Sequence, residues 1–177
     1  MSGMIFAVVG PSGVGKDTLL AGACARRPDL RLVRRVITRP AHAGGEPFEG
    51  ISEAEFARRK AAGAFALDWQ AHGLRYGIPH DQIGGRGPVV FNGSRLALPQ
   101  AVSAFPDLKV ILITAPEAVL ATRLAARGRE TAADVEQRLR RAAFALPSGI
   151  KAVTVINDAS EEVGIARLLA ALQPDRG

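Results

Sequence analysis

Ile5-Phe6-Ala7-Val8-Val9 runs directly into Gly10-Pro11-Ser12-Gly13-Val14-Gly15-Lys16, and Asp17-Thr18-Leu19-Leu20 follows. The first five residues are apolar and rich in β-branched side chains, the pattern of a strand covered on both faces. The residues after Lys16 carry the apolar spacing of a helix. A Gly-x-x-x-x-Gly-Lys run between a strand and a helix is a phosphate cradle. Its glycines let backbone N–H groups turn inward, the helix start adds its positive dipole end, and the lysine reaches the outer phosphates. Gly10 to Thr18 are therefore the expected nucleotide-binding segment. One position departs from the usual pattern. Asp17 stands where Ser or Thr normally offers a hydroxyl to Mg²⁺. Its carboxylate is a hard oxygen ligand suited to that ion, or else an acidic first-turn residue favoured by the helix dipole.

Outward from this segment, Val89–Phe91, Val110–Ile113 and Val153–Ile156 repeat the short β-branched pattern. Helical spacing appears in Arg95–Phe105, Glu117–Ala126, Val135–Leu146 and Glu161–Leu172, with Ser160 as an N-cap. Strands alternating with helices predict a doubly wound α/β fold. Val33–Thr38 is a further strand candidate, and Pro40–Gly50 is loop-like. A helix is expected to start at Ser52, with Glu55 completing a capping box, and Phe65–Gly77 reads as small strands around a Gly73 turn.

The 177 residues suit one domain, and a hydrophobic share of 47% with 23% charged residues is that of a folded globular chain. The absence of an apolar run long enough for a membrane helix, of a leader and of a cysteine pair points to a cytoplasmic protein without a membrane partner. Cys24, the single cysteine, reads as core packing. The formal net charge of +6 fits either nucleic acid or a phosphate-rich substrate. Aromatic residues make up only 5%, so the base-stacking surfaces of nucleic-acid binders are not expected.

In order along the chain come Gly-Pro-Ser-Gly-x-Gly-Lys, Thr38-Arg39-Pro40, Ser52-Glu53-Ala54-Glu55-Phe56, Asp68-Trp69, Tyr76-Gly77, an arginine-rich stretch at Arg127-Gly128-Arg129, and Asn157-Asp158. This succession resembles the guanylate kinase group of nucleoside monophosphate kinases. The resemblance implies a P-loop NTPase fold with a mostly parallel five-stranded sheet. It divides the domain into a core of residues 1–33 and 87–177, an acceptor-binding insertion at about 34–86 and a helical lid at about 124–135. It also implies ATP and Mg²⁺ as cofactors, an acceptor phosphate on Arg39, and Asn157 near the adenine.

The departures bear on the acceptor. The two positions at which guanylate kinases read the base correspond to Arg35 and Ile78, which cannot reproduce a hydroxyl readout. Other phosphate-site positions fall near His42, Phe48 and Asn92. Cations accumulate instead: Arg34, Arg35, Arg39, Arg75 and Arg95. Arginine forks suit phosphate, so a sugar carrying two phosphates fits better than a nucleotide base. Gly15-Lys16-Asp17, Arg34-Arg35-Val36-Ile37-Thr38-Arg39-Pro40, Trp69-Gln70-Ala71-His72-Gly73-Leu74-Arg75-Tyr76-Gly77 and Asn92-Gly93-Ser94-Arg95 together resemble the ribose 1,5-bisphosphate phosphokinases of phosphonate breakdown, which make 5-phosphoribosyl 1-diphosphate.

That resemblance implies acceptor binding by Arg35, Arg39, Asp68, Arg75, Tyr76, Asn92 and Arg95. The catalytic set it implies is Lys16, Asp17, the lid arginines Arg127 and Arg129, and Arg138. Asp17 is also the expected metal ligand. Arg123 and Arg141 are weaker candidates, and His72 and His80 are read as loop residues. A phosphorylated sugar and ATP are the expected partners of a monomer or homodimer, and another nucleoside monophosphate kinase is the competing activity.

Overall fold

The structure is a computed structural model that describes residues 4–11, 13–40, 48–85, 87–116, 118–120, 122 and 146–173. Two sheets organise them. The larger has five parallel strands in the order β2 (Arg31–Leu32), β7 (Val89–Asn92), β1 (Ile5–Val9), β8 (Lys109–Thr114), β9 (Val153–Ile156). The smaller has the order β4 (Phe48–Gly50), β3 (Arg35–Ile37), β6 (Leu74–Pro79), β5 (Phe65–Ala71). The described helices are α1 (Lys16–Arg26), α2 (Glu53–Ala61), α3 (His80–Ile83), α4 (Leu98–Ala104) and α5 (Glu161–Ala171).

β1 shows why the middle of the larger sheet is buried on both faces. Phe6 and Val8 enter a core with Leu19, Leu20, Ile165 and Leu168 of α1 and α5. Ala7 and Val9 point the other way, into a second core with Leu98 and Ala101 of α4 and with Leu67, Trp69 and Ile78 of the smaller sheet. That alternation is the two-residue period of a strand. Cys24 packs against the first core, as its alanine-rich context implied.

β2 is a strand the sequence did not announce, because two residues are too short for any periodicity. The segment Val33–Thr38 contributes its strand to the smaller sheet and only from Arg35 to Ile37. Part of Pro40–Gly50, read as loop, also forms a strand, β4, paired in parallel with β3. Helix α4 begins later than expected: Arg95–Ala97 form a 3₁₀ turn whose start is capped by the Ser94 hydroxyl. Ser52 and Ser160 cap α2 and α5 by accepting from Glu55 N and Val163 N. The expected helices at 117–126 and 135–146, and the lid, lie largely or wholly outside the described residues. Among the described residues no helix is long and apolar enough to cross a membrane.

Candidate active site

The loop between β1 and α1 takes the shape its glycines permit. Gly15 precedes α1 with φ 91°, a left-handed conformation that side chains resist, and it provides no side-chain cap. The first N–H groups of α1 are thereby left without a capping side chain at the end that favours anions. A Cβ on Gly10 would lie 2.4 Å from the Ile113 carbonyl oxygen, so the loop enters by passing directly against β8.

Gly10, Pro11, Gly13, Val14, Gly15, Lys16, Asp17 and Thr18 line a cleft of about 960 Å³. Ser12 lies outside the described residues. Arg35, Arg39, Trp69, Tyr76, Asn92 and Arg95 line the same cleft. Trp69 and Tyr76 are cross-strand partners with rings stacked at 5.4 Å. The Arg35 guanidinium lies 5.1 Å from the Tyr76 ring centre, and that of Arg39 lies 4.4 Å from the Phe48 ring. Aromatic faces hold these two cations in fixed planes, which favours forked contact with a phosphate. Arg35 lies in β3 and Arg39 in a bend beyond the strand end, and both reach the same cleft.

Two expected acceptor residues are not brought there. In the β5–β6 register, Asp68 faces with Gly77 and Gln70 with Arg75, on the sheet face opposite Trp69 and Tyr76. Helix α2 covers that face, with Phe56 buried and stacked on Phe65 at 4.7 Å. Asp68 accepts from Lys60 at 2.9 Å and Arg75 pairs with Glu53 at 3.4 Å. Both line a separate recess of about 280 Å³. Cross-strand pairing sets both on the α2 side, away from the cleft lining where the resemblance would put them. Arg59 ties α2 to β4 through Glu49 at 2.8 Å and pairs within the helix with Glu55 at 3.0 Å. Hydrogen bonds from Arg58 and then Arg59 hold the Glu55 carboxyl down to about 2. Arg59 likewise lowers Glu49.

Asn157 is also placed differently from the expected adenine contact. It is buried, 6% exposed, and its Nδ2 donates to the Val14 carbonyl at 2.8 Å. Its backbone N–H donates to Thr114 O at 2.8 Å, so the end of β9 holds the phosphate loop from behind. Loss of the amide leaves a buried carbonyl short of a donor, which costs about 1–3 kcal/mol. We expect Asn157→Ala to lower unfolding free energy by about that amount in urea titrations and to weaken nucleotide binding.

Asn92, expected on the acceptor, donates its Nδ2 to Asp17 Oδ1 at 3.0 Å. Sequence reasoning did not find this contact, because no local pattern links residues so far apart. Ile78 is fully buried in the second core, so this position presents nothing to a ligand. His72 occupies the β5–β6 turn with φ 53° and reaches the cleft edge, while His80 opens α3 and is exposed. Arg34 is exposed. Arg127, Arg129 and Arg138, with Arg123 and Arg141, lie outside the described residues. Among the described residues no group of three or more His, Cys, Asp or Glu side chains could hold a metal ion. A magnesium ion bound with nucleotide needs no such cage, since it is held by one or two carboxylates, water and the substrate's phosphates. Asp17 beside the loop fits that requirement.

No family model matches the chain. It is 51% identical over 179 residues to the ribose 1,5-bisphosphate phosphokinase PhnN of Ruegeria sp., an alignment covering 98% of this chain and 94% of that protein. The chain belongs to the ribose 1,5-bisphosphate phosphokinase family. A second member, from Agrobacterium fabrum, is 44% identical, with 96% of each chain covered. The bifunctional ribose 1,5-bisphosphokinase-thymidine phosphorylase of Cupriavidus pinatubonensis is 46% identical and matches 97% of this chain over 29% of its own length. In fold, the phosphokinase chain is similar to the guanylate kinase of Anaplasma phagocytophilum. The TM-score is 0.63 at 19% identity, covering 97% of this chain and 85% of that one. It is a P-loop kinase of the α/β class.

Proposed function

We propose that this chain transfers the γ-phosphoryl group of ATP to the 1-phosphate of ribose 1,5-bisphosphate, releasing 5-phosphoribosyl 1-diphosphate and ADP. The observation that carries the reading is the cleft itself. A phosphate loop and two arginines braced on aromatic rings line it together. A 1-phosphate oxygen forms the new bond to the γ-phosphorus while the bond to the β–γ bridging oxygen breaks, and the electron pair leaves with ADP. The attacking oxygen is already ionised at neutral pH, so no general base is required. Catalysis is positioning and charge neutralisation.

Lys16 offsets charge on the β- and γ-phosphates, and the N–H groups around Gly13–Gly15 cradle them. Arg35 and Arg39 hold the acceptor's phosphates, with Tyr76 and Arg95 alongside. Asp17 is the residue that would hold Mg²⁺, which when bound supplies further neutralisation of the triphosphate. Arg127, Arg129 and Arg138 are proposed to complete the charge balance from the lid side. In ³¹P NMR of a reaction with ATP and ribose 1,5-bisphosphate, we expect the 1-phosphate signal to give way to the coupled doublets of a diphosphate ester as ADP accumulates. A 1-phosphate signal unchanged after ADP release would defeat this reading.

A further inference from the structure

Asn92 and Asp17 come from different halves of the chain, and the fold gives their contact a definite geometry. Asn92 ends β7 and is the register partner of Val8, while Gly93 N donates to Val8 O at 2.9 Å. The amide is thus pinned beside the strand that feeds the phosphate loop, and it is buried at 6% exposure. Asp17 is exposed in the first turn of α1, where Gly15 contributes no side-chain cap. A carboxylate only accepts, so the amide nitrogen must be the atom facing it. An exposed aspartate left alone samples several staggered rotamers, whereas a charge-assisted bond to a rigid buried donor selects one.

Both residues line the phosphate end of the cleft. We propose that Asn92 is the positioning residue of Asp17. Its buried amide occupies Oδ1 and turns the remaining oxygen, Oδ2, toward the nucleotide phosphates and their magnesium ion. The choice of amide over acid at position 92 follows from the same contact. Two carboxylates at this separation would repel each other, while an amide donates to Asp17 and adds no charge. The inference rests on the phosphate-loop reading above and adds to it the residue that aims its carboxylate.

The test is ADP binding by calorimetry, in magnesium and in EDTA at equal ionic strength, for the wild type, Asn92→Ala and Asn92→Asp. Removing the partner that orients a metal-binding group usually costs about 10-fold or more in metal-linked affinity. Asn92→Ala should therefore lose about 10-fold in magnesium and less than about 2-fold in EDTA. Asn92→Asp, which replaces the donor with a second acceptor, should lose more in magnesium. Equal losses with and without magnesium would assign Asn92 to loop shape alone and overturn the proposal. A wild type indifferent to magnesium would remove the metal reading itself, and the inference with it, a result visible in the wild-type data alone.

Discussion

Lys16→Ala should lower kcat by about 10³-fold or more while the protein remains folded. Lys16 opens α1 and borders the cleft, and it is not part of either hydrophobic core. On the proposed mechanism its ammonium offsets charge on the transferring group, and the substitution removes that neutralisation. The helix propensity of alanine is at least as good, so α1 should persist. Circular dichroism and thermal melting close to wild type, with turnover at or below that threshold, are the expected pair of results. Turnover within a few-fold of wild type would remove the phosphate loop from the mechanism.

The second large effect concerns Arg35. Its guanidinium is stacked over Tyr76 in the cleft that the phosphate loop also lines. A forked contact to phosphate in a partly enclosed site is worth about 3 kcal/mol, or roughly 10²-fold in kcat/KM. Arg35→Ser should therefore lose about two orders of magnitude toward ribose 1,5-bisphosphate with the KM for ATP little changed. It should not gain GMP kinase activity, because Ile78 remains buried in the core and offers no polar atom to a base. Steady-state kinetics with each substrate varied separately would check both halves. A large rise in the KM for ATP with acceptor kinetics intact would move Arg35 to the donor side.

Much of this was legible in the residues, for identifiable reasons. The Ile5–Val9 strand and the Ser160 cap are local signals, and local chemistry decides them. The turn at His72-Gly73 was equally readable from its glycine between two apolar runs. β2 and β4 were not, because a two- or three-residue strand forms only when a longer partner presents its edge. Asp68 and Arg75 look like cleft residues beside Trp69 and Tyr76 in the sequence. One step along a strand reverses the face, and α2 happens to close over theirs. Asn157 and Asn92 were recognised as site positions, but their partners, Val14 and Asp17, are set by the packing of β9 and β7 against the loop. No spacing rule carries that information.

The central claim is that the acceptor of this cleft is a phosphorylated sugar and not a nucleoside monophosphate. Its most direct test is kcat/KM from coupled ADP release with ribose 1,5-bisphosphate against GMP under identical conditions. A site that pairs with a group rejects analogues lacking it far more strongly than a site built on shape, so we expect the bisphosphate to lead by about 10³-fold or more. Comparable efficiency with GMP would contradict the assignment of the acceptor.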